Sequence, residues 1–379
     1  MKKRIKILVA PDSFKESLSA IKVSNAITKG ILNIIPDADV TQIPLSDGGE
    51  GLLDILINAL GGKRISVIVK DPLNRNIQAE YGILNDNLTA IIEIAKASGL
   101  ELLDDDERNP MLTSSFGTGQ LIKDALDHGC KSIIIGIGGS ATNDGGMGMV
   151  KALGGKFLDN KNEEVQEGGG LLDQICKIDL SKFDKRIGNC EIVVACDVTN
   201  PLTGQKGASF VYGEQKGGTP EQLKILDKNL KRYASIIREC IGIEVETIEG
   251  AGAAGGIGAG LIAFFNAELK SGIDLIIETL EIDKLIKNAD LVITGEGKID
   301  KQTLNGKTIL GIASVGKKYK VPVIAITGKM GNNIDEIYKL GITAIFSIVN
   351  KPMTLEEAIN NVEYLIQSCA ENIIRTIKI

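Results

Sequence analysis

The sequence predicts an α/β protein of two domains, a parallel-sheet domain split by an inserted α/β domain that contains an antiparallel meander. Three observations carry that reading. Apolar runs of strand length alternate with helical periodicity at both ends of the chain. The middle opens on three strand-like runs joined by short reversing turns. Five apolar runs end in turns that set an acidic residue among Gly, Ser, Thr or Asn: APDSFKES at 10–17, PLSDGGEG at 44–51, GIGGSATNDGGMG at 136–148, ACDVTNPLTG at 195–204 and ITGEGKID at 293–300. Such turns supply backbone N–H groups for anions and carboxylates for metals or protons, at the strand ends where α/β proteins bind ligands. Five of them point to one site assembled from several strand ends.

In chain order, RIKILVA at 4–10 reads as a buried strand, and Ser13 with Glu16 has capping-box spacing. Ala20, Val23, Ile27, Ile31 and Ile34 recur at helical intervals. A strand near 39–45 leads into SDGGEG and a helix near 50–60. ISVIVK, IQAEYGIL and LTAIIEIA then form the meander, turned by DPLNRN and NDN. A helix near 115–128, the strand KSIIIGI at 131–137 and the strand EIVVACD at 191–197 follow. Thr219, Pro220 and Gln222 open a helix to about 241 by cap, first-turn proline and capping box. ADLVITGEG, VPVIAITGK and ITAIFSIVN restore the strand-and-helix texture of the start. The expected domains are 1–76 plus 283–379, with 77–282 inserted.

Composition narrows the class. The chain has 379 residues, which suits two domains of about 100–200 residues each. It has 44 glycines, above the usual ~7%, clustered in the turns above. A net charge of −6, no Trp and few other aromatics argue against nucleic acid and anionic membrane as partners. Six cysteines include no C-x-x-C pair and there is one histidine, so free thiols are expected rather than a zinc site. The apolar run of MKKRIKILVAPDS stops at Pro11, too short for a signal-peptide core of about 7–15 residues. A cytoplasmic protein is the expectation.

Each motif has a functional and a bland reading. Gly136-x-Gly138-x-x-Ala141 follows a strand and fits a dinucleotide fingerprint, as does Gly250-x-Gly252-x-x-Gly255. In the first, Asn143, Asp144, Gly145 and Gly146 interrupt the required helix; in the second, EVETIEG is too polar for a central strand. A phosphate role without a dinucleotide remains for 136–148: Gly138, Gly139 and Gly145 permit close backbone approach, and Ser140, Thr142 and Asn143 add neutral donors and acceptors. The bland alternative is a tight turn with Asp144 as helix cap. Lys15 falls in the first turn of the expected first helix, where the dipole opposes a cation and a bound anion would reverse that, unless it is a solvated lysine. Ser13, Asp47 and Glu50 have cap positions as their plainer reading. Asp197, at the end of EIVVACD, can take a proton or hold Mg²⁺ through water, or simply form an Asx-turn. Glu296 and Asp300 have the same two readings. His128, before Gly129, reads as a helix C-cap.

Taken together, DSFKES, SDGGEG, GGSATNDGGMG, CDVTNPLTG, GAGAAGG and TGEGKIDKQT resemble the bacterial glycerate kinase family of the type related to glycerate 2-kinases, in order and over the full length. The resemblance implies a flavodoxin-like domain split around a Rossmann-like insert. It also implies ATP-dependent phosphorylation of D-glycerate, 2-phosphoglycerate favoured, by in-line transfer in an interdomain cleft. ATP and Mg²⁺ are then the expected cofactors, with oligomeric state left open. The chemistry assigns Asp197 as general base and Lys15 as the cation on the glycerate carboxylate or the transferring phosphoryl group. Ser13, Asp47 and Gly48 would line the acceptor pocket. Gly138, Gly139, Ser140, Thr142 and Asp144 would hold an anionic group, and Glu296 with Asp300 would hold Mg²⁺. The competing readings are an NAD(P)-dependent oxidoreductase of a small hydroxy acid and a non-catalytic small-acid binding protein.

Overall fold

The computed structural model describes residues 4–14, 17–45, 51–300, 303, 308–332 and 334–377. Its strands in chain order are β1 (Lys6–Val9), β2 (Asp39–Gln42), β3 (Gly62–Lys70), β4 (Asn76–Leu84), β5 (Thr89–Glu93), β6 (Ser132–Gly136), β7 (Lys156–Leu158), β8 (Lys177–Asp179), β9 (Glu191–Ala195), β10 (Glu268–Lys270), β11 (Leu291–Ile299), β12 (Val323–Met330) and β13 (Ala344–Ser347). The chain is a mixed α/β protein and divides into two compact units, Met1–Asp47 with Ser271–Ile379, and Gly48–Lys270.

The first unit is built on a wholly parallel sheet in the order β13-β12-β11-β1-β2. Counted within the unit, that order is 2-1-3-4-5, one of the two common doubly wound arrangements. Parallel strands buried on both faces need continuous apolar runs, which ILV at 7–9 and LVI at 291–293 supply. The amphipathic helices Ala20–Ile34 and Val362–Ile377 bury Ile27, Ile31, Ile366 and Ile373 in the core beside that sheet. They can approach closely because Gly30 has no side chain; a Cβ there would stand 2.5 Å from the Gln367 carbonyl oxygen.

The second unit holds a mixed sheet in the order β10-β9-β6-β5-β4-β3. β5, β6, β9 and β10 run parallel, so their carboxyl ends share one edge, while β3 and β4 form the antiparallel meander. Ile92, Ile133, Ile135, Val194 and Leu121 lie in its core with the rings of Phe157 and Tyr233. Each such side chain contributes about 1.5–3 kcal/mol by leaving water. The helix Pro220–Ile241 has the capping box of Thr219 and Gln222, proline in its first turn, and Gly242 in the left-handed region (φ 83°) at its end.

Three local expectations need correction. β3 pairs with β4 along its whole length, from Gly62 opposite Leu84 to Lys70 opposite Asn76. The stretch 62–76 therefore lies in the second unit, not in an outer domain reaching residue 76, because a hairpin cannot be divided without breaking its ladder. Likewise the helix Gly272–Thr279 packs against Thr308–Tyr319, where Gly311 leaves room for Ile273, so the return to the first unit begins at Ser271, ahead of 283. The first helix starts at Ala20, with Ser19 as its N-cap residue. Phe14 and Leu18 instead make a small bridge, so Ser13 does not cap it.

Candidate active site

Four segments meet at the carboxyl edge of the second sheet. The turn 137–146 after β6 is tied down at intervals: Leu100 N–H donates to Gly139 O (2.8 Å), Ala141 N–H to Ser98 O (2.9 Å), and Gly145 N–H to Gly255 O (3.1 Å). The Thr113 hydroxyl donates to Ala141 O at 2.9 Å. Gly139, Gly145 and Gly146 have φ of 71°, 62° and 77°, a region open to glycine. Gly252 N–H donates to Asn200 O at 3.0 Å, which ties the 250–256 turn to the turn after β9. Ala254, Gly255 and Gly256 run left-handed within the segment Ala253–Phe265. A Cβ on Gly255 would stand 1.9 Å from Thr142 O. Neither glycine pattern builds a dinucleotide site: β6 leads into a ten-residue turn before the helix Met147–Ala152, and 242–249 is not a strand.

Asp144 is fully buried, and its carboxylate accepts from four donors. Oδ2 takes Ser115 N–H (2.9 Å), Ser115 Oγ–H (2.8 Å) and Gly148 N–H (3.1 Å), while Oδ1 takes Gly146 N–H (3.1 Å). Burial raises its pKa, and these donors oppose the rise. Asp144 thus faces the interior of the turn as its framework. Among the other residues expected to bind an anion, Gly138 is half-buried and Gly139 exposed, while Ser140 and Thr142 are buried. Thr142 Oγ1 and Asn143 Oδ1 are buried with no hydrogen-bond partner among the described residues.

Asp197 stands exposed two residues beyond the end of β9. Its turn is fixed by Asn200, which accepts from Tyr212 O–H (2.7 Å) and donates to Lys206 O (2.7 Å). Glu93, at the end of β5, is a carboxylate the sequence reading passed over. It is buried and accepts from Leu53 N–H at 3.3 Å at the start of the helix Leu52–Leu60; burial raises its pKa and that bond opposes the rise.

In the first unit Asp12, just past the end of β1, and Glu296, inside β11, are both buried. Asp12 Oδ1 accepts from Ser13 N–H (2.6 Å) and Oδ2 from the Thr308 hydroxyl (2.8 Å), and Asp12 N–H donates to Gly295 O (2.8 Å). Glu296 accepts from the Thr303 hydroxyl at 2.6 Å. It does so from within β11, which continues to Ile299 in register with β12 instead of turning after Thr294. Asp300 pairs with Lys298 at 2.5 Å, and its N–H donates to Thr303 Oγ1 at 3.1 Å. Thr303 therefore links the two carboxylate residues expected to hold a metal. Lys15, Asp47 and Gly48 lie outside the described residues.

Sequence reading also missed Ser115, Thr303 and Lys216. Ser115 and Thr303 sit in ordinary hydroxyl-containing turns; Lys216, in EQKGG, looks like any surface lysine. Its burial has no signal in one dimension.

An α/β protein with polar turns gathered at the carboxyl ends of parallel strands has the build of a small-molecule enzyme. The chain matches the sequence profile of the Glycerate kinase family over residues 7–378 and belongs to that family, a family of phosphotransferases. It is 50% identical over 367 residues to the glycerate kinase of Halalkalibacterium halodurans, covering 97% of each chain. It is 47% identical over 375 residues to the glycerate 2-kinase of Escherichia coli K12, covering 99% of this chain and 98% of that one. A solved structure of a glycerate kinase 2 candidate from Salmonella typhimurium LT2 superposes with a TM-score of 0.90 at 46% identity, covering 99% of both chains.

Proposed function

We propose that the protein transfers the γ-phosphoryl group of ATP to a hydroxyl of D-glycerate, releasing ADP and phosphoglycerate. The observation that carries this is near-complete coverage by relatives at about half identity named glycerate kinase. The Escherichia coli relative's name, glycerate 2-kinase, supports 2-phosphoglycerate as product. The 2-1-3-4-5 order supports reading the first unit as flavodoxin-like, and the four parallel strands of the second as Rossmann-like. The free thiols of all six cysteines fit a cytoplasmic protein.

Phosphoryl transfer needs positioning and charge neutralisation more than covalent chemistry. Asp197, exposed at a strand end, accepts the proton of the attacking glycerate hydroxyl. Gly138, Gly139, Ser140 and Thr142 present the 137–146 turn to an anionic group, and Asp144 holds that turn in shape. Ser13, Lys15, Asp47 and Gly48 serve the acceptor, with Lys15 as the cation. Mg²⁺ favours one or two carboxylates plus phosphate oxygens and water, a donor set that Glu296 and Asp300 fit; when bound it neutralises phosphate charge. Incubation with Mg-ATP and D-glycerate, followed by enolase with and without phosphoglycerate mutase, tests activity and regiochemistry together. Absence of glycerate-dependent ADP would overturn the reading. Signal only when the mutase is added would move the phosphate to the 3-hydroxyl.

A further inference from the structure

Lys216 is 2% exposed, and the reaction proposed above does not use it. It closes the short turn Glu214–Lys216, after which Gly217 reverses the chain in the left-handed region (φ 85°). Its Nζ donates to Ser140 Oγ and to the Thr142 carbonyl oxygen, each at 2.8 Å. Both acceptors belong to the 137–146 turn, so a charge is buried where a neutral side chain would pack. Desolvation brings the pKa of Lys216 down to about 7, against the pull of Asp144.

An ammonium has only donors to offer. While Lys216 is protonated, Ser140 Oγ therefore accepts from it and is left to donate its own proton, for which no hydrogen bond is formed among the described residues. Two residues on, Thr142 Oγ1 is buried and has no hydrogen-bond partner among the described residues. Buried polar groups are as a rule satisfied, so the same turn holds one hydroxyl compelled to donate and a second without a partner. The complement of the Ser140 hydroxyl is an oxygen with lone pairs and no proton, as on a phosphoryl or carboxylate group.

We infer that Lys216 is a positioning residue: by donating to Ser140 Oγ and to the Thr142 carbonyl oxygen it holds the turn and fixes the polarity of the Ser140 hydroxyl, so that Ser140 presents an O–H donor to an anionic oxygen of the substrate. This rests on reading 137–146 as the anion-holding turn. ATP and D-glycerate are the two candidate sources of that oxygen, and separate binding measurements tell them apart.

The test measures equilibrium binding of ATP and of D-glycerate, separately, to the full-length protein carrying Ser140→Ala, Lys216→Met or both, with thermal melts alongside. Ser140→Ala and Lys216→Met are expected to weaken the same single ligand by ~10-fold or more and to leave the other unchanged. The double variant should bind no more weakly than the worse single one, since both substitutions remove one interaction. Lys216→Gln, whose amide can still donate to Ser140, should keep more affinity than Lys216→Met, and it carries the comparison if the methionine variant does not fold. Normal binding by folded Lys216 variants, beside a loss in Ser140→Ala, would overturn this inference and leave the anion role of the turn standing; additive losses would do the same. If Ser140→Ala leaves both ligands unaffected, the anion role itself is wrong and the inference goes with it.

Discussion

The turns after β6 and β9 look alike in sequence, each an acidic residue among small polar ones at the end of a buried strand, yet they put their carboxylates to opposite uses. Asp144 is enclosed, accepts from four donors and shares its surroundings with a buried ammonium. Asp197 stands exposed on a turn whose shape is set by other groups, chiefly Asn200 with Tyr212. One carboxylate holds its turn in shape, and the other is the one proposed above as general base. What separates them is burial, complete at Asp144 and slight at Asp197, which strand-end position alone does not fix.

Substitutions should divide along the same line. The largest effect is expected from Asp144→Ala, which strands four donors and leaves Lys216 without its opposing charge. A loss of about 3–5 kcal/mol in urea unfolding is expected, as for other broken buried charge networks. A change below ~1 kcal/mol would mean that the enclosed carboxylate is not structural. Asp197→Asn should do the reverse, lowering turnover ~10²-fold through loss of the general base with little change in melting temperature. Near-normal turnover in that variant would remove Asp197 from the mechanism.

Gly255→Ala probes the wall behind the first turn. Its Cβ would meet Thr142 O at 1.9 Å in a backbone held at φ 67°, so a cost of about 1–3 kcal/mol is expected by denaturant titration. An unchanged midpoint would show that the two turns do not need their close approach.

The remaining effect is a slope with pH. The folded pKa of Lys216, about 7, lies below its ordinary 10.5. Between those values the unfolded chain holds a proton that the folded chain has released, so this group makes stability rise with pH, by at most ~1.4 kcal/mol per unit. Below pH 7 both states hold the proton and the slope from this group vanishes. Unfolding midpoints of the wild type and Lys216→Met across that window should differ in slope; parallel curves would place the lysine's folded pKa near its ordinary value.

Much of the fold was legible because its signals are local. ILV at 7–9 and LVI at 291–293 mark buried strands by composition, and Thr219, Pro220 and Gln222 mark a helix start by chemistry that acts within one turn. Capping-box spacing at Ser13 and Glu16 misled for the same reason: the spacing is necessary for a cap but does not show that the backbone turns there, and the helix waits until Ala20. The site was legible as a set of turns and as a family pattern, whereas the direction each side chain faces was not.

The sequence by itself determined the alternation of strands and helices, the placing of acidic turns at strand ends and the family, since each is written in neighbouring residues or in motifs kept in order. Only the tertiary structure decided that the whole meander, β3 included, lies in the second unit, that β11 runs on through Glu296, that Asp144 faces inward and that Lys216 lies buried beneath Ser140 and Thr142. Those outcomes depend on desolvation and on partners far away in the chain. Lys216 meets its acceptors across 76 and 74 residues, and no local periodicity records such a meeting.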